Sequence, residues 1–269
     1  MAGTHHLRLA TRGSAQATAQ AQAAADALMA AHPGLTVELV FVETLGDQRT
    51  DVPLHTIGGQ GVFVKEVQRA VLRGDADFAA HSAKDLPSIV ADGLQLAAFT
   101  QRRDARDALV GLALDALPAG ATVATGSVRR RAQLRAARPD LQFVELRGNI
   151  QTRLTKIPEG GAIVMAEAAL QILGLEDRIA SRFTLDEMVP QAGQGCVALE
   201  CRSDDDSARA VLALADHAPT RRCVEAERAF LATLGSGCSL PVGAYAQIDP
   251  ARADGPVLLQ TFVGPRSEE

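Results

Sequence analysis

Thr122-Val123-Ala124-Thr125-Gly126-Ser127-Val128-Arg129-Arg130-Arg131 is the stretch from which the fold is read. Residues 122–125 are β-rich, Gly126-Ser127 makes a turn, and residues 128–137 form a predicted helix behind an N-cap serine. Arg138-Pro139-Asp140 stops that helix, and residues 141–146 predict the next strand. The same grammar stands at the start of the chain. Residues 7–11 predict a strand, Arg12-Gly13-Ser14 a turn capped by Ser14, residues 15–31 a helix ended by His32-Pro33-Gly34, and residues 36–44 a strand. The two passages read as copies of one α/β unit. Two such lobes imply a cleft at the carboxyl ends of their strands, with a capped helix start from each lobe facing it.

Between the copies lie a glycine-rich loop (57–61), an amphipathic helix near 63–73 and a strand over 77–81. That strand runs into Ser82-Ala83-Lys84-Asp85-Leu86-Pro87. After the second copy, Gln191-Ala192-Gly193-Gln194-Gly195 marks a crossing back. Residues 204–217 and 220–234 then read as helices, and 242–263 as two β segments around a turn. The expectation is an α/β protein of two lobes plus a small α+β third domain. The first lobe takes 1–100 and 195–217, the second 101–194, and the third domain 218–269.

Composition narrows the function. The 269 residues carry a net charge of −5, only 3% are aromatic, Trp is absent and Tyr245 is the single tyrosine. An acidic chain so poor in aromatic rings is unsuited to nucleic acid. No apolar run is long enough to span a bilayer, and no apolar signal core follows Met1, so a cytoplasmic protein is expected, with no membrane partner. Cys196, Cys201, Cys223 and Cys238 lack metal-binding spacing and are expected reduced. Arginine is the habitual cation here, so its placement says more than its number. The few lysines, Lys65, Lys84 and Lys156, stand out as exceptions.

Positive charge gathers at one helix entrance, with Arg147 and Arg153 following soon after. Helix N-termini present free N–H groups and a positive dipole end, and guanidinium binds carboxylate or phosphate in a bidentate manner. A ligand with several negative charges is expected. Neighbouring helix positions point about 100° apart. Arg129 and Arg130, beside the cap Ser127, are therefore the candidates for ligand contact, while Arg131, Arg135 and Arg138 read as a solvated face. Lys84-Asp85 supports two readings, a carboxylate set at the cleft beside a cation or a plain surface turn before proline. Cys238, in Gly235-Ser236-Gly237-Cys238-Ser239, is either an accessible loop thiol or a small packed residue. The other three cysteines read as packing, and His81 as a satisfied strand-end histidine.

Together these pieces resemble the porphobilinogen deaminase family, also called hydroxymethylbilane synthase. The matching segments, in family order, are LRLATRGS, HPGLTVELV, GGQGVFVKEV, HSAKDLP, DALPAG, GSVRRRAQL, RPDL, LRGNIQTRL, LGLEDRI, QAGQGCVALECR and GSGCSLPVGAYA. The resemblance implies two lobes like those of periplasmic binding proteins and a third domain carrying a cofactor cysteine. It implies a transferase of tetrapyrrole and heme biosynthesis that condenses four porphobilinogen molecules, with release of ammonia, into hydroxymethylbilane. The product grows on a dipyrromethane cofactor bound by a thioether, here to Cys238. By the same resemblance Asp85 is the catalytic carboxylate, and Lys84, Ser127, Arg129 and Arg130 grip the cofactor carboxylates. Arg12, Ser14, Arg147 and Arg153 hold substrate and growing chain, no metal is needed, and the protein is a monomer.

Some positions depart from the family pattern. Ile172 stands where a basic residue is usual, Gly126 where a hydroxyl residue is usual, and Gln60 where a basic residue is usual. The stretch Gly160-Gly161-Ala162 is about two residues short, and the chain ends at Glu269, ahead of helices that complete the third domain in relatives. Two alternatives follow from these changes. One is a diverged pyrrole-condensing paralogue with another product. The other is a two-lobed polycarboxylate-binding protein without turnover.

Overall fold

The computed structural model describes residues 5–44, 61, 64–235, 240–249, 251, 252 and 254–265. The loop holding Gln60 and the cysteine Cys238 lie outside these described residues.

The duplicated passage appears as two parallel β-α-β units. In the first, β1 (His5–Thr11) leads through α1 (Ala15–Ala31) to β2 (Leu35–Phe41), parallel to β1. α1 buries Ala21, Ala24, Ala25 and Leu28, a stripe of i, i+3, i+4, i+7 spacing that packs on Leu9 and Phe78. β2 ends at Phe41, short of the expected Thr44. Next come α2 (Lys65–Leu72), β3 (Phe78–Ser82), a one-turn 3-10 helix (Ala83–Asp85) and β4 (Leu94–Phe99). The second half holds β5 (Asp107–Gly111), β6 (Thr122–Ala124), α3 (Val128–Ala137), β7 (Gln142–Val144) and α4 (Ile150–Leu154). It continues with β8 (Ala162–Ala166), α5 (Glu167–Gln171) and β9 (Ile179–Arg182). α4 was not anticipated, because five residues are too few to display helical periodicity.

The two five-stranded sheets share one plan. The first has order β2-β1-β3-β10-β4, where β10 (Val197–Arg202) runs antiparallel to both neighbours. The second has order β7-β6-β8-β5-β9, where β5 is the antiparallel member. The chain crosses between the sheets twice, once into β5 and once back into β10. These crossings set the two sets of strand ends against each other.

The remainder is α6 (Asp206–Leu212), α7 (Ala218–Thr233) and the antiparallel hairpin β11 (Val242–Ile248) and β12 (Val257–Val263). The long helix expected over 204–217 is only seven residues of α6 followed by a 3-10 turn. Glu227 on α7 ties this part to both crossings. Fully buried, it accepts from Arg102 Nη1 and Nη2 (2.6 and 2.9 Å), from Gly193 N (2.7 Å) and from Ala246 N (2.7 Å). A buried carboxylate persists when its charge is paired and its lone pairs are filled, as here.

Candidate active site

Nearly every residue singled out for chemistry sits where a strand or the turn after it gives way to a helix. Arg12 and Ser14 follow β1, Lys84 and Asp85 follow β3, Ser127 follows β6, and Arg147 lies between β7 and α4. Arg153 is on α4 itself. The caps form as the sequence implies. Ser14 Oγ accepts from Ala17 N (3.3 Å) and Ser127 Oγ from Arg130 N (3.4 Å). Asn149 caps the unanticipated α4 by accepting from Thr152 N (2.9 Å). Each serine keeps its own hydroxyl proton for a ligand.

Asp85 shares a cavity with Arg12, Ser14 and His81. Its neighbour Lys84 points into an adjoining recess between the sheets, lined also by Gln16 and Gln20 of α1 and by Ala168 and Ala169 of α5. Lys84 Nζ donates to Gln194 Oε1 (3.1 Å), and Gln191 Nε2 donates to the Lys84 carbonyl (3.0 Å). The returning crossing thus holds the Lys84-Asp85 turn directly. Gly193 makes that approach feasible. Its φ is +75°, and a Cβ there would lie 2.9 Å from Ala83 C and Lys84 N. Any side chain at this position is therefore excluded on two counts.

Gln194 carries the contact onward. Its Nε2 donates to Ala105 O (2.8 Å) and to Asp107 Oδ1 (2.9 Å). Asp107 is fully buried and receives both arginines of the helix entrance. Arg129 Nη2 reaches Oδ2 (2.8 Å), while Arg130 Nε and Nη2 reach Oδ1 (3.0 and 2.7 Å). Arg129 Nη1 donates to Val189 O and Arg130 Nη1 to Val164 O. Burial alone raises the Asp107 carboxyl, but Arg129 and Arg130 outweigh it and hold the group well below the usual carboxylate range. The sequence made Arg129 and Arg130 candidates for ligand contact, and the structure adds that both grip a protein carboxylate. Both are buried, on the inner face of α3, and every guanidinium nitrogen but Arg129 Nε is engaged by the protein. The supposed solvated face also has partners, since Arg138 binds Asp140 and the Leu114 carbonyl (2.8 and 3.1 Å).

The cluster holds excess positive charge. Burial and the nearby Arg130 push Lys84 down to about 8, against the opposing pull of Asp85 and Asp107. Burial, Arg130 and Arg147 bring Arg153 down to about 10, with Asp85 and Glu145 opposing. Five cations, Lys84, Arg129, Arg130, Arg147 and Arg153, feel one another across only three carboxylates. Arg147 Nη1 is buried with no hydrogen-bond partner among the described residues. An unpaired buried donor is costly, and a bound carboxylate would satisfy it. The residues present therefore fit a group bearing several carboxylates, as dipyrromethane does.

Gly126 and Ile172 show what two of the departures mean locally. A Cβ at Gly126 would come within 2.7 Å of Glu145 Oε1, so glycine leaves that carboxylate its room beside Arg131, 3.6 Å away. Ile172 is the half-buried C-cap residue of α5, next to the recess that holds Lys84. The remaining cysteines are buried, as expected, and burial pushes the Cys196 thiol up to about 12. Asp107, Gln191 and Gln194 were missed. The sequence signal for Asp107 is a lone acid heading an otherwise apolar strand.

Residues 7–210 match the family model described as porphobilinogen deaminase, dipyromethane cofactor binding domain, and residues 221–268 match the porphobilinogen deaminase C-terminal domain. A porphobilinogen deaminase of Xanthomonas axonopodis pv. citri (strain 306) is 50% identical over 97% of this chain and 86% of its own length. One of Roseiflexus sp. (strain RS-1) is 46% identical over the same shares. Among solved structures, the methionine binding protein MetQ aligns with a TM-score of 0.49 at 16% identity, covering 86% of this chain and 96% of that one.

Proposed function

The chain belongs to the porphobilinogen deaminase family, and from that premise we propose how its residues serve the reaction. It is a transferase that condenses porphobilinogen, with loss of ammonia, into the linear tetrapyrrole hydroxymethylbilane. The observation that carries the assignment of residues is the cation-rich cluster around Asp85, in which Arg147 Nη1 and Arg129 Nε find no hydrogen-bond partner among the described residues.

Each porphobilinogen carries an acetate and a propionate, so an elongating product gains negative charge at every addition. Arg12, Ser14, Arg147 and Arg153 bind those carboxylates and hold the reacting carbons in place, the entropic share of catalysis. Departure of ammonia breaks the carbon–nitrogen bond of the aminomethyl group and leaves a cationic, electrophilic methylene. The Asp85 carboxylate stabilises that charge, and a preorganised group of this kind is worth roughly 10²–10³-fold in rate. The dipyrromethane cofactor, when bound, supplies the primer for elongation. Lys84 and the capped start of α3 at Ser127 hold its carboxylates, Arg129 and Arg130 add their field from below, and Cys238 carries the thioether. We read the sheets as two lobes, 1–100 with 195–217 and 101–194, with 218–269 as a third domain. We read the protein as a cytoplasmic monomer; among the described residues no helix is long and apolar enough to cross a membrane.

Intact mass of the freshly purified protein tests the cofactor assignment. Wild type is expected heavier than its polypeptide by one dipyrromethane, and Cys238→Ala at bare mass. Wild type at bare mass that gains nothing on incubation with porphobilinogen would remove the assignment. Lys84 adds a pH signature. Its charge is lost as pH rises through about 8, and because the cofactor it holds is the primer against which the substrate docks, KM for porphobilinogen is expected to climb between pH 7.5 and 9.5. Lys84→Gln should bind more weakly at pH 7, by about tenfold, and show no such climb. Parallel profiles for the two proteins would contradict it.

A further inference from the structure

Four carboxylates are buried among the described residues: Asp107, Glu167, Glu200 and Glu227. Three of them pair with arginine, Asp107 with Arg129 and Arg130, Glu167 with Arg182, and Glu227 with Arg102. Glu200 on β10 does not. Its Oε2 faces His81 Nε2 at 3.1 Å, and Gln68 Nε2 of α2 donates to both its oxygens at 3.0 Å. In a chain that pairs its other buried acids with guanidinium, this one is matched to an imidazole. That imidazole belongs to a residue lining the cavity of Asp85, Arg12 and Ser14.

A carboxylate with an amide on one side fixes the ring beside it. Nε2 carries the hydrogen and donates to Glu200, which leaves Nδ1 as the basic lone pair of the neutral ring. No described residue binds Nδ1. We propose that His81, oriented by Glu200 and Gln68, is the proton acceptor of the substrate cavity. The proposal rests on the function proposed above and deepens it. When one porphobilinogen-derived pyrrole joins the next, a carbon–carbon bond forms from its α-carbon to the electrophilic methylene. The α C–H bond breaks, its electron pair restores the aromatic ring, and the proton passes to Nδ1. The imidazolium so formed is neutralised by the buried Glu200, and release of the proton to solvent resets the ring. Asp85 remains the stabiliser of the electrophile, so the two cavity residues divide the work.

The charged groups around His81 are Glu200 from β10, Asp85 and Lys84 from the turn after β3, and Arg12 after β1. The field of Arg228 on α7 also reaches Glu200. His81→Gln keeps a donor toward Glu200 but has no base. It is expected to lose about a hundredfold or more in kcat with KM within twofold. It should also show a larger primary isotope effect than wild type on porphobilinogen deuterated at the free α-carbon. Independently of turnover, ¹⁵N-histidine NMR of the purified chain should show neutral His81 as the Nε2–H tautomer. A His81→Gln protein with wild-type kcat and isotope effect overturns the proposal, and so does a neutral Nδ1–H tautomer. Wild type that folds but fails to consume porphobilinogen refutes the proposed function instead, while the NMR result still decides the pair.

Discussion

Asp85→Asn is expected to lower kcat by about 10²–10³-fold while leaving the fold and the bound cofactor mass nearly unchanged, with KM rising only as far as Lys84, which Asp85 also holds toward its ordinary value, loses charge. The reason is the position of this carboxylate. It is half-buried at the end of β3 and no described residue donates a hydrogen bond to it, so little of the fold depends on its charge. Its influence is electrostatic, since it opposes the displacement of Lys84 and of Arg153 from their ordinary values. Removing one negative charge from a cluster already rich in cations makes the cavity more hostile to a developing cation. Anionic substrate should still bind, because the arginines are untouched. The kinetic pattern is therefore lost transition-state stabilisation with ground-state binding retained. Steady-state kinetics with intact mass on the same preparation checks it. Asn at wild-type kcat would move the catalytic role elsewhere in the cavity.

The local parts of this site were legible in the sequence, and the long-range parts were not. Ser14 and Ser127 announce their helices because a cap acts over three residues, and α1 and α3 end where their proline-containing stops stand. Sheet order was not legible in the sequence, but the repeat was, and it held because β1-α1-β2 and β6-α3-β7 share one parallel geometry. The burial of Arg129 and Arg130 could not be read that way. Their partner Asp107 lies more than twenty positions upstream on β5, and only the antiparallel insertion of that strand brings it beneath α3. Glu200 and Glu227 hide for the same reason. Glu200 is a single acid in an apolar run, Val197-Ala198-Leu199-Glu200, whereas Glu227 stands among charged neighbours, Glu225 and Arg228, that mask it. A lone acid inside an apolar segment of an arginine-rich chain is a usable signal that a distant cation or imidazole is aimed at it. The placement of Cys238 lies outside the described residues, so its role rests on motif alone.

Asp107→Asn should be the most damaging single substitution to stability. The carboxylate is the only anion hydrogen-bonded to Arg129 and Arg130 among the described residues, and both guanidiniums are nearly cut off from water. Breaking a buried pair by neutralising one partner costs about 3–5 kcal/mol, and here two cations lose their partner together. Asn also turns an amide donor toward guanidinium or toward the donating amide of Gln194, so at least one contact becomes repulsive. For a chain of this size such a loss lowers the thermal midpoint by roughly 10 °C. A second effect follows through the field. Asp107 is one of the two carboxylates that raise Lys84 toward its ordinary value. Without it Lys84 falls below about 8 and loses charge at neutral pH, so the alkaline rise in KM should begin at a lower pH than in wild type. Calorimetry reads the first effect and the pH profile of KM the second. A variant as stable as wild type would mean that Arg129 and Arg130 are held by other anions in solution. A displaced KM profile without destabilisation would show that Asp107 acts on the site through charge alone.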